Sequence, residues 1–230
     1  MLYKRVISSS LPLLDTILPT RCSGLYTKHL SYSHPLYKPS NMSGPDRDPD
    51  FHTRPPYRIR SDEDFGDVKW RAGCDCGRVE YKVNRQIPLM AKYCHCRGCQ
   101  VLHGAPFQWC GIFHKEDIMF NKGAEGLTFY SSQNKSKEYH MPTKVACSYC
   151  RSPIMDEGRN VCLIFPELID YGASGSDSKT WREAFEPKLH IFYESRCMDI
   201  LDGKPKWAGL DEKSDLLDDY GKPKDSGTKM

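Results

Sequence analysis

The sequence predicts a mainly β fold, a single domain with flexible extensions at both ends, and three observations carry that expectation. Short runs of alternating apolar and polar residues recur through the middle of the chain, beginning with Val79, Tyr81 and Val83 against Glu80 and Lys82. Helical periodicity is sparse. Closely spaced cysteines stand at both ends of the alternating region, Cys74 and Cys76 in GCDCG and Cys147 and Cys150 in ACSYC.

In chain order, residues 1 to about 45 carry Lys4, Arg5, Arg21, Lys28 and Lys38 against a single acid, Asp15, among many serines. That bias matches a mitochondrial transit segment, although Pro12 interrupts any long helix and a start at Met42 would omit the segment. Residues 44–65 are rich in proline and charge and read as a linker. The leader and linker together are therefore expected over 1–66, the β domain over 67–208 and a polar, mobile tail over 209–230. Strands are expected at 79–83, 88–93, 106–113, 127–131, 137–146, 161–165 and 189–194. One helix is expected at 179–185, a turn near Glu167, and a short amphipathic turn around Leu216 and Leu217.

Composition narrows the function classes. Hydrophobic residues are 39% of the 230 and the mean hydropathy is −0.63, so part of the chain lies outside any packed core. The 33 basic and 30 acidic residues nearly balance, which argues against an obligate nucleic-acid binder with a strong positive footprint. No run approaches the roughly 18 apolar residues of a membrane-spanning helix.

Eleven cysteines admit two explanations, a disulfide framework or metal ligation in a reducing compartment. Spacings of one or two residues suit convergence on an ion better than bridging of distant segments. With no apolar signal core near Met1, they point to an intracellular protein, cytosolic or mitochondrial. Cys74, Cys76, Cys147 and Cys150 supply the four thiolates of a closed structural zinc site. Cys94, Cys96 and Cys99, in YCHCRGCQ, supply only three, which is the pattern of an exchangeable or catalytic site with one free position. Two alternatives stand beside this reading: the thiols are redox-active, or His95, His103 or Cys110 closes the second site. His95, between two ligands, is expected to face away from the ion. Cys110 and Cys162 lie in apolar runs and read as small core residues, Cys22 lies in the leader and Cys197 in a loop.

The motifs G-C-D-C-G-x-V-x-Y, C-H-C-x-x-C and C-x-x-C resemble those of the glutathione-dependent formaldehyde-activating enzyme family, which also contains centromere protein V. The similarity spans about residues 68–208 and includes GAPF, KGAEGLTFYSS, PKLHIF and DGKPKW. It implies a β-tent fold with two Zn2+ per chain, one structural on Cys74, Cys76, Cys147 and Cys150, the second more labile on Cys94, Cys96 and Cys99. It also implies glutathione as co-substrate, its thiolate adding to formaldehyde as in an S-(hydroxymethyl)glutathione synthase, a carbon–sulfur lyase. Glutathione's two carboxylates call for cations, and Arg97 and Lys92 are the first choices, with Arg71 and Lys144 approaching through the zinc staple. His190 and Trp207 read as ordinary packing. The family usually has Gly after the last cysteine, where this chain has Arg151. A non-catalytic zinc module, acting as thiol carrier or protein scaffold, is the competing function. A methionine-sulfoxide reductase is disfavoured because the first doublet is C-x-C. The sequence leaves oligomeric state open.

Overall fold

Alternation along the chain resolves into thirteen strands among residues 50–224, the part of the protein that the computed structural model describes. The leader with Cys22 and Met42, and residues 225–230, lie outside the described residues. In chain order the strands are β1 Trp70–Gly73, β2 Glu80–Val83, β3 Met90–Cys94, β4 Gln108–His114, β5 Ile118–Lys122, β6 Leu127–Tyr130, β7 Thr143–Cys147, β8 Pro153–Glu157, β9 Val161–Ile164, β10 Ile169–Asp170, β11 Leu189–Ile191, β12 Lys206–Trp207 and β13 Leu216–Leu217. Three short helices join them, α1 Asp62–Phe65, α2 Arg97–His103 and α3 Ser178–Ala184. No helix among the described residues is long and apolar enough to cross a membrane.

The strands form two sheets, a small one in the order β10-β1-β2-β5 and a large one in the order β13-β12-β11-β3-β4-β9-β8-β7-β6. Pairing is antiparallel except where β11 lies parallel to β3 and β12. Strict alternation of burial in β2 and β7 follows from the period of two along a strand. The inward residues meet in one core: Trp70, Tyr81 and Phe120 from the small sheet, Phe113, Ile154 and Ile164 from the large one. Each such apolar side chain contributes about 1.5–3 kcal/mol on burial, so this core, before any metal, is the main cohesion of the fold.

The expected strands at 79–83, 88–93, 106–113, 127–131, 161–165 and 189–194 correspond to β2, β3, β4, β6, β9 and β11. The strand expected at 137–146 begins only at Thr143, after Pro142, which has no N–H to give a ladder. The helix expected at 179–185 is α3, displaced by one residue, and the turn near Glu167 is a single 3-10 turn at Pro166–Leu168.

Two segments assigned by sequence to the extensions join the packed body. Tyr57, from the linker, is 5% exposed, stacks on Phe120 and donates a 2.7 Å hydrogen bond to the buried carboxylate of Glu157. Glu157 also receives Lys115 Nζ at 2.6 Å and the Tyr139 hydroxyl at 2.8 Å. Proline and charge around Phe51, Tyr57 and Phe65 hide any period, yet the aromatic rings dock on the core all the same. At the other end β13 pairs with β12, and the wholly buried Lys206 ammonium is met by Asp202 and Asp219. A buried ammonium demands such partners, so the tail is held in place to at least Asp219.

Candidate metal centres

The first centre lies where two tight turns meet. After β1, the Cys74 N–H donates to the Val79 carbonyl at 2.9 Å and the Gly77 N–H to the Cys74 carbonyl at 3.0 Å, closing a hairpin whose Gly77 sits at φ +68°. The Val79 N–H points at the Cys74 sulfur from 3.3 Å. Gly123, in KGAEGLTFYSS, packs so closely behind this hairpin that a Cβ there would lie 2.0 Å from the Arg78 carbonyl oxygen. The second turn leaves β7 at Cys147, whose N–H bonds to the Ser152 carbonyl while the Arg151 N–H bonds back to Cys147, both at 3.0 Å. Ser152 ties the turns together: its Oγ accepts from the Asp75 N–H at 3.1 Å and donates to the Cys150 sulfur at 3.1 Å. That hydroxyl holds the Cys150 thiol down to about 6.

All four sulfurs, from Cys74, Cys76, Cys147 and Cys150, lie within 4.8 Å of one another. Cys74 and Cys76 are 3.4 Å apart and Cys76 and Cys147 3.9 Å. Tetrahedral zinc with Zn–S bonds of about 2.3 Å sets its sulfurs about 3.8 Å apart, so this donor set fits such an ion. The position where the family usually has Gly is occupied by Arg151 at φ +68°, a left-handed conformation that glycine adopts freely and arginine does not.

The second centre is built within a single short stretch. β3 carries Cys94 at its end, in register with Gln108 of β4 and Ile191 of β11. The chain then turns, and Cys96 becomes the N-cap of α2, its sulfur accepting the Cys99 N–H at 3.4 Å. Gly104, left-handed at φ +59°, stops the helix after two turns. The sulfurs of Cys94, Cys96 and Cys99 thereby lie within 4.8 Å of one another, and among the described residues no fourth His, Cys, Asp or Glu joins them. Their crowding shows in their acidities: hydrogen bonding among the three holds Cys96 down to about 2 while pushing Cys94 up to about 12 and Cys99 higher still. A dication relieves that conflict by ionising all three, so this donor set also suits a metal ion.

The three side chains considered as a fourth ligand all turn elsewhere. His95 is fully buried and shares a 2.8 Å hydrogen bond with His190, which is 2.9 Å from Asp202. Because a carboxylate needs a donor, His190 gives its Nε2–H to Asp202 and accepts from His95 at Nδ1. Burial, then the neighbouring His190, depress His95 to about 4, so the pair is neutral near pH 7. His103 packs edge-on to Phe165, and the buried Cys110 thiol points to the Lys92 carbonyl. Cys162 is likewise buried in the core, and Cys197 is exposed.

Lys144, on β7, sets its ammonium 3.8 Å from the Cys99 sulfur and pairs with Asp156 of β8. The Gln108 amide donates to the same carboxylate at 3.0 Å. Burial disfavours the charge on Lys144, but Asp156 and then the Cys99 sulfur outweigh it and hold its pKa above the usual lysine value. Beside this pair lies a cavity of about 290 Å3, lined in part by Leu102, Phe129, Val145, Lys144 and Arg151. Of the cations expected from sequence, Arg97 is exposed on the first turn of α2, and Lys92 is buried with its charge committed to Asp211 at 3.0 Å. Arg71 lines a different cavity, and Trp207 pairs with Leu216 in the β12–β13 ladder. Gln108 and Asp156 escaped the sequence reading, which offered no local signal for either.

The cysteine groups fall within a family match. The family model described as glutathione-dependent formaldehyde-activating enzyme matches residues 69–195. No curated protein matches the chain. A crystal structure of a Rhodobacter sphaeroides protein is similar over 47% of this chain and 92% of its own, at 18% identity and a TM-score of 0.36. The match takes in both cysteine groups and more than half of the sequence, and the chain belongs to the glutathione-dependent formaldehyde-activating enzyme family.

Proposed function

We propose that the protein is a zinc-dependent carbon–sulfur lyase of the S-(hydroxymethyl)glutathione synthase type, with a structural Zn2+ on Cys74, Cys76, Cys147 and Cys150 and a second on Cys94, Cys96 and Cys99. The observation that carries this reading is the trio of converging sulfurs with no fourth ligand among the described residues, set beside the Lys144 ammonium and its cavity. When bound there, Zn2+ supplies a Lewis acid that keeps a thiol ionised near neutral pH. The chain's own residues do the rest. Leu102, Phe129 and Val145 give the neighbouring cavity an apolar wall. Lys144, fixed by Asp156, which Gln108 in turn orients, places positive charge next to the reacting sulfur.

In the forward direction the glutathione sulfur adds to the carbonyl carbon of formaldehyde, the π pair moves to oxygen, and that oxygen takes a proton from solvent. The proton lost by the thiol returns to solvent, so the product S-(hydroxymethyl)glutathione is the simple sum of the two reactants. Lys144 is suited to donate a hydrogen bond to the oxygen as negative charge builds on it. Arg97 keeps a charge free to meet a carboxylate, whereas that of Lys92 is already answered by Asp211. The cavity is close to the lower end of the usual range for small-ligand sites, about 300–1,000 Å3. A tripeptide thiol fits it in part and leaves the remainder in solvent. Thiolate centres persist in reducing surroundings, which supports an intracellular setting for the proposed activity.

The test is exchange NMR on a mixture of glutathione and formaldehyde with and without zinc-loaded protein. Faster exchange between free and hydroxymethylated glutathione is the expected result. Unaltered exchange with glutathione still bound would make the protein a thiol carrier instead.

A further inference from the structure

We infer that Arg151 is the anchor for a carboxylate of the thiol substrate, a specificity residue particular to this chain. The inference rests on reading the three-cysteine centre as the thiol site. Arg151 follows directly on Cys150, and its backbone is held at φ +68° by the same turn that closes the four-sulfur centre. L side chains rarely adopt that conformation, and glycine relieves it. A non-glycine residue kept there points to a use for its side chain. The use is indicated by position: Arg151 lines the same cavity as Lys144, whose ammonium stands 3.8 Å from the Cys99 sulfur. Three cations, Lys137, Lys144 and Arg151, face this cavity against one acid, Asp156, which Lys144 already engages. Among the described residues the Arg151 guanidinium is exposed and has no ion pair. A guanidinium offers a planar fork of donors that matches a carboxylate, where an ammonium offers only a point charge. The wall thus carries an uncommitted positive charge suited to a thiol that brings negative charge with it. In the same turn Tyr149 is exposed, and the Arg78 guanidinium lies over its ring, 4.4 Å from the centre.

The experiment compares wild type, Arg151→Gly and Arg151→Lys, all zinc-loaded, by calorimetric titration without aldehyde. Glutathione, its diethyl ester and cysteamine are the probes, and native mass spectrometry confirms two zinc ions in each variant. Arg151→Gly should bind glutathione about 10-fold more weakly while binding cysteamine as wild type does. Its melting temperature should rise by about 2–4 °C as the left-handed turn relaxes. Arg151→Lys should fall between the two, and wild type should bind the ester about as weakly as Arg151→Gly binds glutathione. Unchanged glutathione affinity in Arg151→Gly overturns the inference, and so does equal loss of glutathione and cysteamine with a lower melting temperature, which marks a structural role. If wild type binds no thiol, the thiol-site reading falls and the anchor with it. Should the affinity pattern hold while exchange stays uncatalysed, the anchor stands and the lyase reading fails.

Discussion

The two sulfur centres differ in how they are assembled. The four-sulfur centre joins a hairpin after β1 to a turn after β7, segments more than seventy positions apart in sequence. The three-sulfur centre is local, gathered from one strand end and the first turn of the helix that follows. Joining distant segments would make the first centre, with an ion bound, a clamp on the fold, whereas an ion at the second would add little to the restraint that β3 and α2 already have. On the proposed reading, structure and chemistry are thus divided between two sites with the same kind of ligand.

The largest effect should come from the clamp. Structural zinc is worth about 10–16 kcal/mol, against a net stability of about 5–15 kcal/mol for a domain. Cys147→Ser should therefore give a protein without dispersed amide resonances, whereas Cys99→Ser should stay folded and lose one zinc in native mass spectrometry. If both variants unfold, the division between the centres is wrong. Glu157→Ala probes whether the framework stands apart from either centre. It leaves the half-buried Lys115 ammonium without its carboxylate and should cost about 3 kcal/mol in urea unfolding, with any bound zinc retained.

Lys144→Met tests the chemistry alone. The exchange rate should fall by about 100-fold, the usual consequence of losing one donor to a developing oxyanion, with zinc content and glutathione affinity within a factor of about three of wild type. A fall in affinity as large as that in rate would make Lys144 a binding residue. The smallest effect is expected for Tyr57→Phe, which removes one donor from Glu157 and should lower stability by about 1.5 kcal/mol without moving exchange. A null result there would return residues 50–66 to the status of linker.

Much of this was legible in the sequence because cysteine spacing is itself geometry: a pair one or two residues apart has few ways to use both sulfurs except on a common ion. Strands with clear alternation, such as Val79-Tyr81-Val83, were legible for the same reason. β5 and β8 were not, since IMFNK buries three successive residues and then exposes two, without alternation, and PIMDE opens on a proline. Nor was α2, whose seven residues include a glycine and are too few for a helical period. Phe51, Tyr57 and Phe65 were missed because docking on a core decides their fate, and nothing local announces it. The approach of Lys144 to Cys99 spans 45 positions and appears only once β7 is laid beside β8 and the helix after β3. Arg151 was visible as a departure from the family pattern, but only the backbone dihedral shows that it occupies a glycine conformation.

One strand, β7, ends in Cys147 and carries Lys144 three residues earlier, about 10 Å along an extended chain. The four-sulfur centre and the Lys144 ammonium therefore hang on one short strand, with a bulge between Val145 and Ala146 lying between them. On the proposed reading, a cell short of zinc that lets the four-sulfur ion go would free the Cys147 end of that strand and shift the ammonium, so lyase activity would fade together with structural loading, even with the second ion replenished.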